Sequence, residues 1–293
     1  MMAPEYYTFT DRYDERIPRH VTHILIDRAL KFVRARSFWE HPNIQELICH
    51  DGVEIVEQAA FYKCPRLRRV IMPGVRVVEY GAFNVCRALT YIECGKLEII
   101  EGAAFCACDS LSSIDLPSIR IVESNAFERC TSMKNAKFGK DLESIGEETF
   151  RGCPSLERIT LPLKDGMISD DDVFQVCVKL NHIDLVEGLI LSETVAALLL
   201  EEWKNDMNEK IYEINRILPN TPGGDWSVPG EKAQAIRRWI TSVLGKIKHY
   251  KAEHQRTLSV AAATLQTALP SDIVFKNVLP FVELPSYTFH GEN

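Results

Sequence analysis

The sequence predicts an α/β solenoid of about seven stacked repeats, followed by a helical C-terminal region. Three observations carry this. One apolar pattern recurs every 22 to 24 residues, each copy closes on a strand-like alternation, and helical periodicity replaces the repeat after residue 190. The organisation read from them is an N-terminal cap segment at 1–29, a solenoid at 30–190 and a helical region at 191–293.

The windows "VEIVEQAAFYKCPRLRRVIMP" (53–73), "VRVVEYGAFNVCRALTYIECG" (75–95) and "LEIIEGAAFCACDSLSSIDLP" (97–117) superimpose without gaps. Each is anchored on a phenylalanine, and the series runs Phe38, Phe61, Phe83, Phe105, Phe127, Phe150 and Phe174. Apolar residues recur eight and five positions before it, then six, nine and eleven after it. The last three give L-x-x-I-x-L, as in Leu111, Ile114 and Leu116, which is the strand signature of a leucine-rich repeat. Alternate side chains of such a strand point inward and outward. Pro73, Pro117 and Pro162, or Gly95 and Gly139, close the strands. Small residues before the anchor (Ala60, Ala82, Ala104 and Ala126) are expected to let a short turn of helix lie close to the sheet.

The stretch "IGEETFRGCPSLERITLP" (145–162) resembles the BspA-like leucine-rich repeat family almost position for position, and the likeness extends over roughly residues 20 to 190. It implies a right-handed solenoid of about 22–23-residue repeats used for binding rather than catalysis. Bacterial members are typically secreted or surface-displayed. The amino terminus "MMAPEYYTFTDRYDERIPRH" lacks the apolar stretch of an export signal, so that role is not carried over. The region after residue 190 is similar to the tail on algal proteins with these repeats.

Nine cysteines are the second periodic signal. Cys64, Cys86, Cys108, Cys130, Cys153 and Cys177 all lie three residues after a phenylalanine, so they stack in one column and read as small buried hydrophobes. Cys49 and Cys94 fall on inward strand positions. Cys106 stands outside both registers, in an exposed column with Tyr62, Asn84, Glu128 and Arg151. It is the one cysteine on which an enzymatic reading rests, and the sequence supplies no base beside it.

Function is expected in the columns that point outward. On the main strand these give Arg69, Tyr91, Glu93, Asp115, Lys137 and Arg158 as candidate contacts for a protein or peptide partner. Seven residues before each anchor, Lys31, Glu54, Arg76, Glu98, Arg120 and Glu143 alternate in sign, an arrangement suited to fixing register. Beside them Glu57, Glu79, Glu101 and Glu123 form an all-acidic column. Glu79 and Glu101 are therefore candidates for a basic partner.

Helices are expected at about 192–218, 231–269 and 271–283, with a Pro- and Gly-rich linker at 219–230. The first is acidic and the second basic, which predicts an antiparallel hairpin. The segment "LPSDIVFKNVLPFVELP" (269–285) resembles the opening helix of an F-box, implying an adaptor whose tail recruits further machinery.

A net charge of −7 argues against nucleic-acid binding, and the longest apolar run, "VAALLL", is too short to span a bilayer. The reading is a cytoplasmic, non-enzymatic scaffold, with the nucleus not excluded and no catalytic, cofactor-binding or metal residues. Phosphate-binding loops, nucleophile elbows and zinc signatures are absent from the sequence.

Overall fold

A computed structural model describes residues 5–12, 15–186 and 231–268. These fall into two units, one made of the residues up to 186 with 231–239 and the other of residues 240–268. The first unit is the solenoid, built from parallel strands one repeat apart.

The L-x-x-I-x-L segments form the main strand face. Five strands pair in the order β1 (Tyr6–Phe9), β2 (His23–Ile26), β4 (Glu46–Ile48), β6 (Arg69–Ile71) and β8 (Tyr91–Glu93). Four more follow in a separate ladder: β10 (Ser113–Leu116), β12 (Asn135–Phe138), β14 (Arg158–Leu161) and β15 (His182–Leu185). Apolar side chains at Val70, Ile114, Ala136 and Ile159 point inward and are buried, as a period of two requires. The first 29 residues thus add two strands to the same face, and Phe9 packs edge-on against Phe38 at 4.9 Å.

A second sheet of two-residue strands runs along another side. It comprises β3 (Phe32–Val33), β5 (Ile55–Val56), β7 (Val77–Val78), β9 (Ile99–Ile100), β11 (Ile121–Val122) and β13 (Ser144–Ile145). Its inward residues Val56, Val78, Ile100 and Val122 are the apolar positions five residues before each anchor.

The segment around each phenylalanine differs from the helical turn expected there. Residues two before and two after the anchor adopt left-handed backbone angles in repeat after repeat. Examples are Ala59 (φ 54°) and Lys63 (φ 53°), Gly81 (φ 60°) and Val85 (φ 61°), and Ala103 (φ 53°) and Ala107 (φ 55°). Such a conformation costs a non-glycine residue on the order of 1 kcal/mol. Hydrogen bonds to the next repeat offset it. Ala103, Phe105 and Ala107 donate their N–H groups to Ser124, Ala126 and Glu128 at 3.0, 2.8 and 2.7 Å. Residues between them bond within the turn, as Cys106 N–H does to the Ala103 carbonyl at 3.1 Å. A continuous helix would keep all its bonds local, whereas this alternation lends every second N–H to the neighbouring repeat. Among the described residues, a 3-10 turn occurs only in the last repeat, at Asp171–Phe174, capped by the Asp170 carboxylate.

The phenylalanines stack through the whole unit. Phe83, Phe105 and Phe127 lie 5.2 and 5.5 Å apart with rings within 4° of parallel, and the series runs from Phe38 to Phe174. The cysteine column lies beside it. Each thiol donates to the carbonyl of the preceding repeat's phenylalanine, Cys108 to Phe83 at 3.3 Å and Cys130 to Phe105 at 3.2 Å. Burial pushes the Cys108 and Cys130 thiols up, and Cys177 to about 12, and all nine cysteines are free thiols.

At the C-terminal end the helix α1 (Glu231–Ala268) begins against the last repeat. Ala233, Ile236 and Trp239 are buried, and Lys232 donates from Nζ to the carbonyls of Cys177 and Leu180 at 2.6 and 3.2 Å. Gln234 and Arg237 both engage the Asp171 carboxylate. Of the three expected helices this is the one described. The segments 192–218 and 271–283, and with them the hairpin and the F-box-like stretch at 269–285, lie outside the described residues. Among those described, no helix is long and apolar enough to cross a membrane.

Candidate functional site: a strand face and a turn-side groove

Parallel register brings the outward strand residues into two rows. Arg69 stands opposite Tyr91 and Ile71 opposite Glu93, while Ser113, Asn135 and Arg158 align in the second ladder with Asp115, Lys137 and Thr160 beside them. Tyr91 is 47% exposed, and the Arg69 guanidinium lies 5.2 Å from its ring centroid. Arg69 also pairs with Glu46 at 3.3 Å. Lys137 reaches Asp115 at 3.6 Å, and Arg158 bonds Asp184 at 2.6 Å. Glu93 is exposed on β8, beside the point where the two ladders are interrupted. The six candidates therefore share one face, in two groups: Arg69, Tyr91 and Glu93 on the five-stranded ladder, Asp115, Lys137 and Arg158 on the four-stranded one.

The alternating column forms discrete pairs rather than an unbroken chain: Arg76 with Glu98 at 2.6 Å and Arg120 with Glu143 at 2.8 Å. The acidic column has an internal role that the sequence did not suggest. One carboxylate oxygen of each member accepts a backbone N–H from the preceding repeat: Ala35 to Glu57, Gln58 to Glu79, Tyr80 to Glu101 and Gly102 to Glu123, at 2.8 to 3.0 Å. Glu79 and Glu101 thus bridge repeats through one oxygen and leave the other free for outside contacts. Partial burial raises the Glu101 carboxyl, and the neighbouring charges of Glu79 and Glu123 add to it against the lowering effect of the Tyr80 N–H.

Cys106 is half-buried rather than exposed, because its column turns into a depression on this side. Burial pushes its thiol up to about 11, with the Glu128 carboxylate adding to the shift. Its Sγ contacts Glu128 Oε2 at 3.8 Å. A carboxylate beside a thiol opposes thiolate formation, so this pair is the reverse of an activated nucleophile.

The depression is an open groove of about 710 Å³, lined among others by Tyr80, Gly102, Cys106, Glu123, Ser124 and Glu128. Its origin is local. The column three residues before the anchors runs from Tyr80 to Gly102 and Ser124, so the wall falls away beyond the tyrosine. The acidic column ends at Gly146, where a Cβ would meet the Ser124 nitrogen at 2.5 Å. The Tyr80 ring rests on Gly102, whose Cβ would lie 3.3 Å from it. Asn125 bridges Glu128 and Glu148 from below, and Arg151 holds Glu148 at 2.6 Å, lowering that carboxyl. Sequence reasoning did not find this groove, although the run of small residues and the end of the acidic column at Gly146 were its signals. Among the described residues, no group of three or more His, Cys, Asp or Glu side chains is placed to hold a metal ion.

Comparisons with known proteins bear on the fold. A family described as the BspA type leucine-rich repeat region matches in six copies, at residues 19–109 and 98–194. Among solved structures, the T. pallidum leucine-rich repeat protein matches at 21% identity and a TM-score of 0.45, covering 60% of this chain and 78% of its own. A leucine-rich repeat protein from Bacteroides ovatus matches at 20% identity and a TM-score of 0.39, over 58% of this chain and 53% of its own. The pneumococcal vaccine antigen PcpA matches at 16% identity and a TM-score of 0.33, over 63% of this chain and 67% of its own. No curated protein matches.

Proposed function

We propose, on the premise that this chain belongs to the BspA-type leucine-rich repeat family, that it is a non-enzymatic scaffold whose strand face binds a protein or peptide partner. The observation that carries the reading is the exposed Tyr91 ring under the Arg69 guanidinium, beside a register-fixed row of charged side chains. Tyrosine and arginine are enriched among residues that dominate binding energy, and a parallel ladder that fixes their backbone positions lowers the ordering cost of binding. Mixed charge along the row suits a polypeptide better than the uniform phosphate backbone of nucleic acid. The raised Cys106 thiol supports the non-enzymatic reading.

The test is affinity capture from the source cell with the full chain, followed by titration of the purified captured protein by calorimetry. Tyr91→Ala is expected to weaken its binding by about 30-fold, the loss that goes with a residue dominating an interface. Equal affinity for wild type and Tyr91→Ala, and for wild type and Arg158→Ala, would remove the strand face from the function. In that case the adaptor reading, in which the C-terminal region recruits a partner, takes its place.

A further inference from the structure

We propose that the turn-side groove takes up an arginine or lysine side chain from an extended segment of a protein partner. At the N-terminal end of the same side, Lys63 Nζ lies 5.1 Å from the Tyr62 ring centroid and 3.5 Å from Glu40. Arg36 likewise lies 5.3 Å from the centroid of Trp39. On this surface an aromatic ring, a carboxylate and a cation therefore occur together, with the chain supplying all three.

In the groove the ring and the carboxylates are present and the cation is not. Tyr80 is 56% exposed and forms one wall. Glu123 and Glu128 line the groove, which has no basic side chain in its lining. Among the described residues, none of Glu79, Glu101, Glu123 and Glu128 is ion-paired, and the nearby Arg151 is committed to Glu148. Ile121 and Val122 add an apolar element suited to the methylene stem of a long basic side chain. A cation set against Tyr80 and within reach of either carboxylate would gain a cation–π contact and a charge-assisted hydrogen bond. The Glu101 carboxyl next to the groove is raised by burial first, and the charges of Glu79 and Glu123 add to it. Nucleic acid is repelled by the same charge, which leaves a basic polypeptide as the occupant. The groove lies on a different side of the repeat from the Tyr91 face, so the two sites can be tested apart.

The probe is the peptide acetyl-Ala-Leu-Arg-Leu-Ala-amide, titrated into the isotope-labelled full chain while the amides of Gly102, Ser124 and Gly146 are followed by NMR. Its counterpart with glutamate in place of arginine serves as control. Saturable shifts at those amides are expected with the arginine peptide, absent with the glutamate peptide and reduced by salt. Glu123→Gln with Glu128→Gln is expected to weaken binding about 10-fold. Glutamine keeps an oxygen to accept the Gly102 N–H, and a thermal melt on each variant confirms that the fold is retained. Tyr91→Ala is expected to leave this binding unchanged, so failure here and failure of the strand-face reading are separable. Shifts with both peptides alike, or insensitivity to the double substitution, overturn the proposal. So does silence up to about 10 mM peptide, beyond the weakest affinity of interest. Shifts that depend on protein concentration without peptide would assign the groove to a second copy of the chain and overturn it as well.

Discussion

Replacing Phe105 with alanine tests whether the ring stack holds the repeats together or merely fills the core. Phe105 is fully buried and has two ring neighbours, Phe83 at 5.2 Å and Phe127 at 5.5 Å. Removing a buried phenylalanine costs about 3–5 kcal/mol through lost transfer energy and the cavity left behind. Each near-parallel offset pair adds about 0.5–1.5 kcal/mol beyond its area. Phe174, at the end of the stack and also buried, has one such neighbour, Phe150 at 5.8 Å. Phe105→Ala is therefore expected to cost about 1 kcal/mol more than Phe174→Ala, and Phe105→Leu to recover most of the burial but not the ring pairs. Equilibrium urea denaturation followed by circular dichroism measures all three. Because each repeat touches only its neighbours, a central lesion also uncouples the two halves, and the transition of Phe105→Ala should broaden with a lower m-value. A loss below about 2 kcal/mol, or Phe174→Ala costing more than Phe105→Ala, would refute the account.

Two further outcomes follow from the chemistry of single groups. With its thiol pushed up to about 11 against an ordinary value of 9.0, Cys106 should be alkylated by iodoacetamide at neutral pH about 100-fold more slowly than an unperturbed thiol. Mass spectrometry of a time course reads this, and fast modification would restore a reactive role. Burial lowers the Lys232 pKa, so in the window between that value and 10.5 the unfolded chain binds more protons than the folded one. Stability from this group accordingly rises with pH in that window, and the difference in melting free energy between wild type and Lys232→Met should grow in the same direction.

The repeat was legible because its signal is redundant. Seven phenylalanines and six cysteines in register fix which residues turn inward, and the structure buries all of them. The backbone between them was less legible. Ala103 and Ala107 read as helix formers, yet both take left-handed angles, since the hydrogen bonds that reward that conformation come from the next repeat rather than from the local sequence. The acidic column shows the same limit. Glu101 reads from the sequence as a candidate contact for a basic partner, and its role in joining repeats appears only when the Tyr80 N–H of the neighbouring repeat is placed against it at 2.9 Å. The groove escaped notice because it is made by what is missing, side chains at Gly102 and Gly146, and a pattern search weighs what is present.

The interval between anchors varies, and the structure shows where the slack goes. From each phenylalanine to the start of the next main strand the count never changes, as in Phe61 to Arg69, Phe105 to Ser113 and Phe150 to Arg158. In the 23-residue repeats the extra residue falls after the main strand, at the corner leading to the short second sheet, as between β12 and β13; in the last repeat, where a 3-10 turn replaces the left-handed pair, one more falls between the Ile168 bridge and Phe174. Left-handed pairs on one side act as a template that admits no insertion, while the opposite corner is open-ended. New loops would be grafted there, and the lineage of such a chain could diversify along that corner without disturbing the stacked interior.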